Sequence, residues 1–249
     1  MAKFEGIFEI QGTMKGMTFY KSKDGLLIRA KGGVSKQRIK NDPAFQRTRE
    51  NGAEFSHNSQ MGQLLRQTVS PLLRLAKDYR VSSRLNRVMS QIKNLDAVSE
   101  RGERQVPIGI GTAAGKALLT GFDFNQNAAF RTVFRTPYSL DPVTGIVTVT
   151  DFQSEFHLGL PEGTTHASLS SAVVGIDFAT RAYDTQYSNK VNFAISSGSQ
   201  NITLTPVAMP IVTETQVYFF LIEFFQEING VQYPLKKNSH NVLHILDVV

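Results

Sequence analysis

The stretch that most limits how this chain can fold is TQVYFFLIEFFQEINGVQYPL, residues 215–235. Side chains alternate across a β-strand, so Val217, Phe219 and Leu221 point one way and Tyr218, Phe220, Ile222 and Phe224 the other. A strand that is apolar on both faces needs cover on both. The cover comes from helices, from an N-terminal arm, or from another subunit. Glu223 interrupts the apolar run, which falls far short of the roughly 20 residues that cross a bilayer. Asn229-Gly230 follows, the preferred pair for a two-residue type I′ hairpin turn.

Around this strand, AFRTVFR, GIVTVTDF, SEFHL, HASLSSAVVGIDF, KVNFAIS, NITLTPVAM and NVLHILDVV alternate with turns such as LDPVTG, LPEGTT and SSGSQN. Short strands at this spacing predict an antiparallel β-sandwich over residues 121–249, with Greek-key, immunoglobulin-like connections. Upstream the pattern is helical over 42–100. Asp42-Pro43 supplies an N-cap and a tolerated first-turn proline. A first helix runs on through Phe55, Met61, Leu64 and Leu65, loosened at Asn51-Gly52; Ser70-Pro71 restarts a short one. Ser82 or Ser83 caps a third, whose Leu85, Val88, Met89, Ile92 and Leu95 form an amphipathic stripe. Residues 101–120, rich in glycine and charge, read as a linker. Residues 1–41 hold short apolar clusters (Ile7, Phe8 and Ile10; Met14, Met17, Phe19 and Tyr20; Leu26, Leu27 and Ile28) cut by glycines. They predict a β-hairpin arm turning at KSKDG, with Asp24-Gly25 supplying the positive φ. The expected class is α+β.

Charge divides the chain. Residues 1–105 carry 20 Lys and Arg against 10 Asp and Glu, whereas 106–249 carry 7 against 11. A basic N-terminal part meets nucleic acid, another anion, or the acidic part of a neighbouring copy. The absence of cysteine excludes disulfides, thiolate metal sites and cysteine nucleophiles. The start MAKFEGIFEIQG lacks a secretory apolar core and meets Glu5 and Glu9, so the product is expected to be soluble and cytoplasmic as synthesised, barring an unconventional route of export or release by lysis.

No motif carries a reaction. GIGTAAGKALL departs from a phosphate loop at Ile110 and Ala117, and its Gly109, Gly111 and Ala114 lack the βαβ setting of a dinucleotide fingerprint. His240 and His244 are four apart but sit in a terminal strand without a third ligand; His57, His157 and His166 are scattered. Ser168, Ser170 and Ser171 lack a nucleophile elbow. Asp151, Glu155, Asp177, Glu223 and Glu227 show no spacing that marks a catalytic carboxylate pair. Neither enzyme activity, cofactor nor metal is expected. The basic set Arg66, Arg74, Lys77, Arg80, Arg84, Arg87 and Lys93 is a possible phosphate-binding face, interleaved with Asp78 and Asp96. Tyr138, Tyr183, Tyr187 and Tyr233 are candidates for lining a glycan groove, although the chain has no tryptophan.

The N-terminal stretch GTMKGMTFYKSKDGLLIRAKGG followed by NDPAFQRTRENGAEF resembles an uncharacterised family widespread in Bacteroidota genomes, through Gly16, Phe19, Tyr20, Gly25, Arg29, Asp42, Pro43, Phe45, Arg47, Arg49 and Phe55. LPEGTTHASLSSAVVGIDF is also similar to the β half of such proteins. The resemblance implies the same layout of hairpin, Arg-rich helix and β domain, and no activity. An isolated two-stranded hairpin is marginal in water, so this one needs a partner. The expected function is therefore structural: head-to-tail self-assembly in which Met17, Phe19, Tyr20 and Leu27 pack on the next subunit's β domain, while Lys21, Lys23, Arg29 and Lys31 answer its acidic groups. The partner is the chain itself, with nucleic acid as the alternative and glycan as the third.

Overall fold

The computed structural model describes residues 2–3, 10–23, 25–30 and 33–249, less the side chains of Ala2, Lys3 and Lys237. Of the residues singled out above, Glu5, Ile7, Phe8, Glu9, Asp24 and Lys31 lie outside the described ones. The chain divides into two compact units, 1–51 and 52–249.

The first unit is a four-stranded antiparallel sheet of order β1-β4-β3-β2, built from β1 (Ala2–Lys3), β2 (Gly12–Met14), β3 (Met17–Ser22) and β4 (Gly25–Ala30). The expected hairpin is β3-β4, closed by the pair Ser22 and Gly25. A second tight turn precedes it: Lys15 and Gly16 both have positive φ, 46° and 82°, the type I′ geometry that pairs Met14 with Met17. Helix α1 (Lys36–Asn41) follows, its N-cap Ser35 accepting from Arg38 N. Asp42 caps the 3-10 turn Pro43–Phe45 by accepting from Ala44 N at 3.0 Å. Arg49 Nη1 then donates to the Ile39 and Asp42 carbonyls at 2.8 and 2.9 Å, tying these turns to the next helix.

That helix, α2 (Gln46–Thr68), continues through Asn51-Gly52 without the expected loosening. Gly52 costs it only about 1 kcal/mol in propensity. Beyond it come α3 (Ser70–Leu75) and α4 (Val81–Lys93), with Leu85, Met89 and Ile92 of the predicted stripe buried. Neither Ser82 nor Ser83 caps α4: Arg80 occupies the cap position without a side-chain cap bond, and its own N–H donates back to Asp78 Oδ1 at 2.6 Å. Residues 101–120 hold α5 (Val106–Ile110) and α6 (Ala113–Leu119), whose Val106, Ile110 and Leu119 are buried. Their glycines serve close approach: a Cβ on Gly109 would lie 2.0 Å from the Ile92 carbonyl oxygen, and one on Gly115 the same distance from that of Gly109.

Two short helices, α7 (Phe130–Val133) and α8 (Ser154–His157), punctuate the β-rich remainder. Its strands are β5 (Ser139–Leu140), β6 (Val147–Phe152), β7 (His166–Ile176), β8 (Tyr183–Tyr187), β9 (Val191–Ala194), β10 (Gln200–Leu204), β11 (Gln216–Ile228), β12 (Val231–Pro234) and β13 (Val242–Val248). They form two antiparallel sheets. One has the order β10-β6-β5; in the other β11 and β7 are central, with β13 and β12 sharing the outer edge of β11 and β8 and β9 that of β7. Asn229 and Gly230, at φ 52° and 78°, make the expected turn between β11 and β12.

Strand β11 is covered on both faces, as its sequence demands. Val217, Phe219 and Leu221 share an apolar cluster with Leu65, Leu85, Met89, Ile92 and Ile110 of the helices. Tyr218, Phe220, Ile222 and Phe224 share another with Val147, Val149 and Phe152 of β6 and Ile202 and Leu204 of β10. The Tyr218 hydroxyl meets the Pro142 carbonyl and Gln216 Oε1, both at 2.7 Å. Glu223, the break in the run, is buried but paired, with Lys190 Nζ at 2.5 Å and Ser168 Oγ at 3.2 Å. The class is α+β, with helices and antiparallel sheets. Among the described residues no helix is long and apolar enough to cross a membrane.

Candidate assembly interface

Pairing in the N-terminal sheet decides which side chains share a face, because residues opposite one another in an antiparallel pair project to the same side. Met14 and Met17 are opposite, as are Gly12 and Phe19, Phe19 and Ile28, and Lys21 and Leu26. This face carries Met14, Met17, Phe19 and Ile28, with Lys21 and Leu26 toward the turn. The other carries Thr13 and Thr18, whose hydroxyls are 3.1 Å apart, then Tyr20, Leu27 and Arg29, with the Arg29 guanidinium 5.5 Å from the Tyr20 ring centre.

The expected interface residues therefore divide. Met17, Phe19 and Lys21 lie on one face and Tyr20, Leu27 and Arg29 on the other; Lys23 is at the turn. Met14 belongs with the first group and escaped the sequence reading. Its signal was Lys15-Gly16, a turn pair as good as the one used for the following hairpin. Among the described side chains of this sheet only Phe19 is buried, at 9% exposure, while Met14 and Met17 are 53% and 46% exposed. Among the described strands β2 pairs with β3 alone.

Of the seven basic helical residues, three are partly or wholly buried and four are exposed, with Arg74 and Lys77 lining one hollow. Lys93 is buried against Glu54, which also accepts from Gly102 N at 2.9 Å. Burial pushes the Glu54 carboxyl up, but Lys93 and the Gly102 amide outweigh it and hold it below its ordinary value. Arg84 donates to Asp78 Oδ2 at 2.5 Å and to the Asp123 carbonyl at 2.7 Å, and covers the Phe122 ring. Arg66 is half-buried, and burial lowers its pKa. Arg74, Lys77, Arg80 and Arg87 are exposed, on three different segments.

The other candidates are structural or dispersed. His244 Nδ1 meets Asp123 Oδ1 at 2.7 Å and its ring stacks on Phe130 at 4.3 Å. His157 Nδ1 accepts from Gln153 N, and His166 Nε2 is 3.4 Å from Glu227. Among the described residues no three His, Cys, Asp or Glu gather as a metal site would need. Tyr183 and Tyr187 lie on β8 and Tyr233 on β12, opposite edges of the larger sheet, while Tyr138 packs edge-on against Phe130. Comparison with protein-family models, curated proteins and solved structures finds no match.

Proposed function

We propose that the chain is a non-enzymatic structural protein that assembles with copies of itself through its N-terminal sheet. The observation that carries this reading is how little is buried among the described side chains of that sheet: Phe19 alone, beside two exposed methionines on the same face. A sheet needs a packed apolar face to persist in water, and a neighbouring subunit supplies the missing half. Met14, Met17 and Phe19 pack on it, β2 adds to one of its sheet edges, and Lys21 on the same face and Lys23 at the turn meet its acidic groups. Because the donor and acceptor surfaces differ, the contact is heterologous and repeats into a filament or tube.

Charge supports the division of labour. The first 51 residues hold eleven Lys and Arg against five Asp and Glu, and the remaining 198 hold sixteen of each, so the whole net charge of +6 resides in the first unit. The β-rich part is read as a sandwich of Greek-key, immunoglobulin-like type whose edges receive the arm. Nucleic-acid binding through the helices is the weaker reading, because Lys93 and Arg84 are bound up within the fold. Negative-stain electron microscopy of the full chain beside a variant lacking residues 1–41 tests the proposal. Ordered polymers that vanish with the deletion are expected; dispersed particles in both samples, or polymers in both, refute it.

A further inference from the structure

A cavity of about 430 Å3 opens in the second unit between α2, the loop before α5, and the turn joining β7 to β8. Its polar lining comes from Glu54, His57, Arg104, Gln105 and Arg181. Each oxygen of the Glu54 carboxylate already accepts one hydrogen bond, Oε2 from Lys93 Nζ and Oε1 from Gly102 N. Its charge is balanced by Lys93. His57 Nε2 accepts from Val106 N at 3.0 Å. A ring nitrogen that accepts carries no proton, so the neutral imidazole holds its proton on Nδ1 and offers a donor there. Burial, and then the charge of Arg181, lower the His57 pKa and keep the ring neutral near pH 7.

The two arginines add further donors. Arg104 Nε is fully buried and has no hydrogen-bond partner. A guanidinium N–H left unmet away from water is costly, so a ligand oxygen that let the Arg104 side chain pair would offset that cost. Arg181 stands on the exposed turn, where one Nη2 proton goes to Gln60 Oε1 at 2.6 Å and the other donors of its fork remain. The one other acidic residue of the lining, Glu103, is exposed. The cavity thus gathers donors from His57, Arg104 and Arg181, and of its two carboxylates Glu54 is already paired with Lys93.

We infer that this cavity binds a small molecule through an oxyanion, a phosphate or a carboxylate, held by Arg104 and Arg181 with His57 Nδ1–H as the third donor. Arginine forks match both groups in geometry. The volume exceeds that of a bare ion and falls in the range of small-molecule sites, so the oxyanion is the head of a larger ligand. The inference stands independently of assembly.

The test is a calorimetric titration of the full chain, which reads binding in monomer and polymer alike, with sodium phosphate and, separately, sodium acetate, against sodium chloride at matched ionic strength. A saturable heat with phosphate assigns a phosphate head, with acetate a carboxylate, and with both a site that accepts either. Arg104→Gln and Arg181→Gln are each expected to weaken binding about tenfold or more. If Arg104→Gln does not fold, Arg181→Gln, at an exposed position, decides alone. No response beyond that to chloride, or undiminished binding by folded Arg181→Gln, overturns the inference.

Discussion

Gly109→Ala separates a packed α4–α5 junction from a flexible linker. The added methyl would lie 2.0 Å from the Ile92 carbonyl oxygen and 3.2 Å from Ile92 Cγ2. A carbon and a carbonyl oxygen rest at about 3.3 Å, so the two segments must part by roughly 1 Å. Overpacking costs about 1–3 kcal/mol, and an obstructing backbone atom, unlike a side chain, has no rotamer to turn away, which puts the cost near 3. Alanine's better helix propensity returns about 1 kcal/mol. A net loss of about 2 kcal/mol lowers the urea midpoint by about 1 M for a slope of about 2 kcal/mol/M. Gly52→Ala is the matched control: it too sits in a helix, but nothing lies within 4 Å of its added Cβ. It is expected to gain about 0.5–1 kcal/mol. Urea unfolding of the three proteins by circular dichroism is the assay. A Gly109→Ala midpoint equal to or above the parent's refutes the packed junction.

Other perturbations test the buried polar groups. Asp96 is buried, and burial alone would raise its pKa, but the Ser99, Gln105 and Val98 amides and the Ser99 hydroxyl hold it well below the usual carboxylate range. A carboxyl depressed on folding stabilises above its unfolded pKa of about 3.9, and that stabilisation fades as pH falls toward the folded value. Asp96→Asn turns an amide donor toward the Gln105 N–H or an equivalent one; it is expected to cost about 2 kcal/mol at pH 7 and to flatten the acid limb of the urea midpoint against pH. Lys93→Met leaves Glu54 buried without its partner and is expected to cost about 3–5 kcal/mol, most of which Glu54→Leu in the same chain restores. A double variant as unstable as the single one would contradict that account.

How far the fold could be read in advance depended on whether the cause lay along the chain or across it. The two-faced character of β11 was legible because strand period is local, and so was Asn229-Gly230, because only certain residues tolerate two successive positive φ angles. Gly109 and Gly115 were misread because a glycine that admits a neighbour looks, in sequence, the same as one that admits freedom. The neighbour of Gly109, Ile92, is 17 residues away. The α4 cap was placed on Ser82 or Ser83, but the helix starts at Val81 with Arg80 at the cap position and no side-chain cap bond, since a preferred cap residue nearby does not fix where a helix begins. The divided faces of the N-terminal sheet needed the pairing register, which follows from two turns of which one was noticed. The cavity was invisible, because His57, Arg104 and Arg181 belong to no motif and meet only through the packing of helices on the sheet.

Sedimentation velocity of the full chain across a wide concentration range, beside Met14→Lys/Met17→Lys, tests the central claim most directly. Both substitutions fall on exposed positions, so the variant is expected to fold. The assembly account predicts that the parent's sedimentation coefficient climbs with concentration while the variant stays at the monomer mass of about 27.6 kDa. A parent that remains monomeric throughout, or a variant that assembles as the parent does, would contradict it.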